Sequence, residues 1–170
     1  MNINNLEHLI TELDNCDPSN VDNYLEIMKA VSFDETAVKD HLAWNQTPYT
    51  RNSLKKTDNY ELVLLCWDAG QESPIHNHTG SDGWVRGLLG EIVESRYTLN
   101  DGTEPKLIAE TTVKPGMIAH INDQLGIHKL SNKTDKKAAS LHLYVSPLAG
   151  CETYNDDETP NADYINNITN

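Results

Sequence analysis

The sequence predicts an all-β sandwich or barrel preceded by a helical segment. Two observations carry this. From Tyr49 onward the apolar residues come in short β-branched or leucine-rich runs bounded by Asn, Asp, Gly or Pro, which is the texture of strands and turns. Before that point they recur every three or four positions, the spacing of amphipathic helices.

Leu6, Leu9 and Leu13, with Ile10 beside them, mark the first helix. Asp17-Pro18-Ser19-Asn20 breaks it and starts another, whose stripe is Val21, Tyr24, Leu25, Met28 and Val31. Asp34-Glu35-Thr36 is a third start, with Val38 and Leu42 on the buried side and Trp44 near the end. These stripes read as core packing. Strands are expected over residues 60–67, 75–78, 84–89, 91–99, 106–113, 117–121, 127–130 and 138–145. Asn100-Asp101-Gly102 is a hairpin turn and Lys114-Pro115-Gly116 another turn. Residues 151–170 are rich in Asn, Asp, Glu and Thr; Tyr154, Tyr164 and Ile165 are expected to pin part of this tail, and its end to fray. With no internal repeat or linker, residues 1–170 are expected to form a single domain: a helical segment 1–47, a barrel 48–150 and a tail 151–170.

At 170 residues the chain is long enough to bury a core without a disulfide or structural metal. The formal net charge of −13 argues against nucleic acid or an anionic membrane as partner, since both need a cationic surface. No apolar run is long enough for a transmembrane helix, and MNINNLEHLITELDNC lacks a signal-peptide pattern. Cys16, Cys66 and Cys151 are few and far apart with no CxxC, so reduced thiols in a cytoplasmic protein are expected, as is a monomer.

The chemistry centres on residues 70–90. His76 and His78 stand two apart, and in a strand such residues face the same way. Two imidazoles on one face of a dry interior need partners, and a metal would supply them with one or two further ligands. His8 and His41, in the helical region, are expected at the surface, and His120 as structural.

Gly70, His76, His78 and Gly90, with Gly126-Ile127-His128 and Asn132 downstream, resemble the two metal motifs of the cupin superfamily. The resemblance implies a cupin double-sheet β-barrel, a jelly roll. Where cupins carry a glutamate after the second histidine, this chain has Gly83, so the implied ligands are three neutral ones, His76, His78 and His128. The blocks Tyr49-Thr50-Arg51-Asn52, Leu65-Cys66-Trp67, Ile75-His76-Asn77-His78-Thr79, Gly126-Ile127-His128-Lys129 and Ser140-Leu141-His142-Leu143-Tyr144 together resemble cysteine dioxygenase.

That resemblance implies Fe(II), with L-cysteine and dioxygen as reactants and cysteine sulfinic acid as product. Neutral imidazoles suit Fe(II), and suit Zn(II) equally. Arg51 stands where the family holds the substrate carboxylate, a role that a planar guanidinium fits; relatives acting on mercaptopropionate carry glutamine there. Tyr49, on the same face, either assists or is a rim aromatic. Ser140, His142 and Tyr144 alternate along one strand, so a hydroxyl, an imidazole and a phenol point to one side. In series they would orient the Tyr144 hydroxyl toward the metal. Animal members join a cysteine at the Gly83 position to this tyrosine; glycine implies an uncrosslinked Tyr144, as in bacterial-type members. Cys66 and Cys151 are expected to be structural thiols. The expected function is an iron-dependent thiol dioxygenase acting on L-cysteine. The alternatives are a dioxygenase for another small thiol such as 3-mercaptopropionate, and a metal-binding cupin or sensing domain without oxidation.

Overall fold

The computed structural model describes residues 1–148 and 150–155. Helices α1 (Leu6–Asp14) and α2 (Val21–Ala30) and a 3-10 helix (Glu35–His41) precede ten strands: β1 (Thr50–Lys56), β2 (Tyr60–Trp67), β3 (Ile75–His76), β4 (Asp82–Leu89), β5 (Ile92–Asn100), β6 (Glu104–Val113), β7 (Ile118–Ile121), β8 (Ile127–Ser131), β9 (Ala138–Val145) and β10 (Thr153–Tyr154). The strands form two five-stranded sheets, ordered β1-β2-β9-β4-β7 and β10-β3-β8-β5-β6. This is the predicted mainly β cupin architecture with its helical N-terminal segment. Among the described residues, no helix is long and apolar enough to cross a membrane.

The central strands of the first sheet are buried on both faces. Tyr60, Leu62, Leu64 and Cys66 of β2, with Ala139, Leu141 and Leu143 of β9, pack against Leu9, Leu13, Tyr24, Met28 and Val38 of the helical segment. The alternate residues Val63, Leu65, Trp67, Ala138 and Tyr144 face the second sheet, where Ile92 and Leu130 meet them. This is why β2 reads as an unbroken run rather than an alternation. Asn5 caps α1 by accepting the His8 amide at 2.8 Å. Two side chains tie helices to barrel. The Tyr60 hydroxyl donates to Asp14 at 2.7 Å. The buried Arg86 guanidinium donates to the carbonyls of Met28 and Val31, where α2 ends, a cation at the negative end of a helix.

The structure differs from expectation at four places. Strand β1 lies outside the expected strand spans. The strand expected over 75–78 ends at His76. Beyond it the amides of His78 and Gly80 donate to the Asp123 carboxylate, at 2.9 and 2.7 Å, instead of to a neighbouring strand. Thr79 and Gly80 there take left-handed backbone (φ 47 and 81). The third helix is a 3-10 helix, started by the Asp34 side chain accepting the Thr36 amide. The short strand β10 pairs with β3 (Thr153 opposite His76) and places the start of the tail on the barrel. Tyr164, Ile165 and the expected fraying lie outside the described residues.

Gly126 has φ +115, and a Cβ there would sit 2.5 Å from the Tyr97 carbonyl oxygen. Gly116 has φ +85 with nothing within 4 Å of its Cβ position. Alanine at either position meets backbone strain of about 1–3 kcal/mol, but only Gly126→Ala must also displace a strand. Gly126→Ala is therefore expected to lower the Tm by several degrees more than Gly116→Ala in thermal unfolding.

Candidate metal centre

β3 and β8 are antiparallel neighbours, and their register sets His76 directly opposite His128. The Asp123-held turn then folds His78 back onto the pair. One ligand atom from each ring lies within 4.8 Å of the other two, and the ring centroids are 4.7–5.2 Å apart. The predicted trio is thus assembled, although the continuous strand that motivated it is absent.

The outer partners fix which nitrogen faces inward. His76 Nδ1 lies 2.9 Å from the Pro74 carbonyl, which can only accept, so Nδ1 carries the proton and Nε2 its lone pair. His128 Nδ1 lies 2.9 Å from the Glu94 carboxylate, with the same consequence. Among the described residues, His128 Nε2 and both nitrogens of His78 are buried without a hydrogen-bond partner. Orphaned imidazole lone pairs converging at ligand spacing fit a metal ion, since buried polar groups are otherwise paired. The donor set is three neutral nitrogens with no carboxylate among them.

Burial, reinforced by mutual repulsion, holds His78 and His128 well below the ordinary histidine range. Burial holds His142 down to about 3, helped by the Arg51 charge. All three are therefore neutral at neutral pH, the form a ligand needs. In the unfolded chain each takes up a proton near the ordinary pKa of about 6.5. The folded state binds fewer protons, so stability is complete above about pH 6.5 and falls as the pH drops below it, down to the folded-state values. With all three contributing, the slope approaches about 4 kcal/mol per pH unit, at roughly 1.36 each. The metal-free protein is expected to show a flat Tm above pH 7 and a steep decline below pH 6. A Tm unchanged down to pH 4.5 would contradict three buried neutral imidazoles.

Beside the trio runs the polar row of β9. The indole Nε1–H of Trp67 donates to Ser140 Oγ at 3.0 Å. Ser140 Oγ lies 2.8 Å from His142 Nε2, and His142 Nδ1 lies 3.1 Å from the Tyr144 hydroxyl. The indole can only donate, which leaves the Ser140 hydroxyl proton free to point along the row. In the Nδ1–H tautomer of His142, Ser140 donates to Nε2 and Nδ1–H donates to the phenol oxygen. That tautomer leaves the Tyr144 proton free to point away from the row. Burial keeps that phenol well above its ordinary pKa, so it stays a proton donor. Its ring stacks near His78, with centroids 6.1 Å apart. A Cβ on Gly83 would lie 3.3 Å from Cδ1 and Cε1 of that ring; the glycine occupies the strand position facing Tyr144 and carries no side chain to join it.

Arg51 and Tyr49 face the same interior side. Arg51 Nη2 is 2.9 Å from Glu61 Oε2, and the Tyr49 ring stacks on Trp67 at 4.3 Å. Arg51 is close enough to oppose, by its charge, the burial that raises the Tyr144 and Cys151 pKa values. The structure therefore gathers every sequence-predicted site residue in one region. Three of the remaining expectations concern bystanders. His120 is structural, bonded to Asp82 at 3.0 Å and stacked on Trp84. His41 is exposed and His8 only partly so. Cys66 packs on the helical side.

Sequence reasoning missed Glu94, Glu61 and Asp123. Glu94 and Glu61 are buried, at strand positions that share parity with core residues: Glu94 with Ile92, Glu61 with Val63 and Leu65. An acid in phase with an apolar strand face was the available signal.

The chain matches the family model for cysteine dioxygenase type I over residues 2–157. It is 31% identical over 142 residues to cysteine dioxygenase type 1 of Homo sapiens, covering 81% of this chain and 71% of that one. It is 29% identical over 153 residues to the Rattus norvegicus enzyme, covering 88% and 76%. Among solved structures, an uncharacterized conserved protein with a double-stranded β-helix domain from Klebsiella pneumoniae superposes with a TM-score of 0.59 at 17% identity, covering 70% of this chain and 95% of that one.

Proposed function

Because the chain belongs to the cysteine dioxygenase type I family, we propose that it oxidises L-cysteine with dioxygen to cysteine sulfinic acid at an Fe(II) held by His76, His78 and His128. The observation that supports this reading is the convergence of three imidazoles, two of them with orphaned buried nitrogens, beside Arg51 and the Ser140–His142–Tyr144 row. Ferrous iron, when bound, supplies the redox centre at which thiol and dioxygen react. The reaction balances without another reductant: R–SH and O2 give R–SO2H, and sulfur supplies every electron that oxygen takes up.

The residues of the chain bind and orient. Arg51 uses one edge of its guanidinium on Glu61 and offers its remaining N–H groups to the substrate carboxylate. Tyr49, braced on Trp67, lines the same side. Tyr144, oriented through Trp67, Ser140 and His142, presents its hydroxyl proton to the bound reactants. Holding carboxylate and thiol at fixed separation selects cysteine over cysteamine, the amino thiol that lacks the carboxylate. The proposal includes a single catalytic domain over residues 1–170, monomeric and cytoplasmic, which sedimentation of the purified protein and fractionation of cells would check.

The test is oxygen uptake by the iron-loaded protein with cysteine, 3-mercaptopropionate and cysteamine, with the sulfinate product quantified. Cysteine is expected to be consumed fastest. No oxygen uptake with any thiol would remove the assignment; preference for 3-mercaptopropionate would remove the substrate.

A further inference from the structure

Glu94 lies on β5, behind the metal-facing residues, with its side chain only 3% exposed. One carboxylate oxygen accepts from His128 Nδ1 at 2.9 Å and the other from Arg96 Nη2 at 3.0 Å. The same Arg96 nitrogen donates to the His120 carbonyl at 2.8 Å, anchoring the pair to β7. The other two imidazoles have weaker outer support. His76 is held by a neutral carbonyl, and among the described residues neither ring nitrogen of His78 has a hydrogen-bond partner.

We infer that Glu94, held by Arg96, is a positioning residue that tunes the metal centre through His128. This rests on the reading of His76, His78 and His128 as ligands. The donor set carries no charge of its own, so among the described residues the only negative charge bonded to a ligand ring comes from this carboxylate. Accepting the Nδ1 proton fixes the His128 tautomer and ring plane and makes Nε2 a stronger donor. A stronger donor binds the metal more tightly and favours the oxidised over the reduced ion. Partners of this kind are worth about 10- to 100-fold in metal affinity. Glu94 also explains how a glutamate can sit in this core: its two oxygens are satisfied by a ligand ring and a guanidinium.

The test uses the full chain and Co(II) in competition with a chelator, with the iron reduction potential as second readout. E94Q keeps an acceptor oxygen without the charge; E94A removes both. Cobalt affinity is expected to fall about 10-fold in E94Q and toward 100-fold in E94A. The potential of the iron-loaded protein should rise in the same order. A merely structural role would leave the potential unmoved in whatever fraction folds. If both variants bind cobalt within twofold of the wild type at an unchanged potential, the inference is wrong. Wild-type protein that binds no stoichiometric cobalt would overturn the metal centre itself, a distinguishable result. Should both variants fail to fold, the zinc-loaded wild type decides: a His128 Nδ1–H resonance protected from exchange is expected in its proton–nitrogen spectrum, and its absence overturns the inference.

Discussion

Arg51→Gln is expected to fail twice, and a second substitution separates the failures. Arg51 faces the buried Glu61 across 2.9 Å, with side chains 19% and 3% exposed. Removing the guanidinium leaves a buried carboxylate with, among the described residues, only Lys56 as an ion-pair partner, 4.0 Å away, and stranding one partner of a buried pair costs about 3–5 kcal/mol. For a domain of this size that is a fall in Tm of roughly 6 °C or more. In the proposed role of Arg51 the same change also deletes the grip on the substrate carboxylate, worth about 2–5 kcal/mol, or roughly a thirtyfold loss or more in kcat/KM. The double variant R51Q/E61Q removes the stranded charge. Its Tm is expected to return near the wild-type value while cysteine turnover stays low and iron content stays normal. Recovery of cysteine kcat/KM in the double variant would show that Arg51 acts only through stability. Iron lost in step with turnover would move its effect to the metal.

How much of this site was legible follows from which residues break their local pattern. His76 and His78 stood out by spacing, and the structure brings them together, but through a turn clamped by Asp123, some forty-five residues away in sequence, that no local pattern announces. Ser140, His142 and Tyr144 were legible because they alternate with leucines in a strand whose two faces are both buried, where a polar side chain has to be satisfied. Glu94 and Glu61 were not, because an acid in a strand reads by default as a solvent-facing position. Both faces are covered by the opposite sheet of the barrel, and the one local sign of it is that each acid is in phase with core residues, Glu94 with Ile92 and Glu61 with Val63 and Leu65. β1 reads poorly for a related reason. TRNSLKK has almost no apolar content, and it forms a strand because β2 pairs with it along most of its length. β10 is too short to carry any periodicity and exists by its pairing with β3. The fold class survives these misses because it rests on the long apolar strands and on the helical stripes that cover them.

His78→Leu is expected to change stability in opposite directions with and without metal. His78 is fully buried, and neither ring nitrogen has a hydrogen-bond partner among the described residues. An unsatisfied buried polar atom costs about 1–3 kcal/mol, so in the metal-free protein an apolar side chain at this position should hold the fold equally well or better. Its loss also removes one of the protons taken up on acid unfolding, so the metal-free variant should decline less steeply below pH 6 than the wild type. With metal the order reverses. Ligand at a hundredfold its Kd stabilises the wild type by about 2.7 kcal/mol, and a site reduced from three ligands to two should lose nearly all of that gain together with oxygen uptake. The two melting curves should therefore cross: variant above wild type in chelator, wild type above variant in excess Fe(II) or Co(II). A variant destabilised by the same amount in both conditions would mean that His78 is an ordinary core side chain. Crossing curves are what a fold carrying an unmet coordination demand must produce, because the instability of the empty site and the affinity of the filled one come from the same unpaired nitrogens.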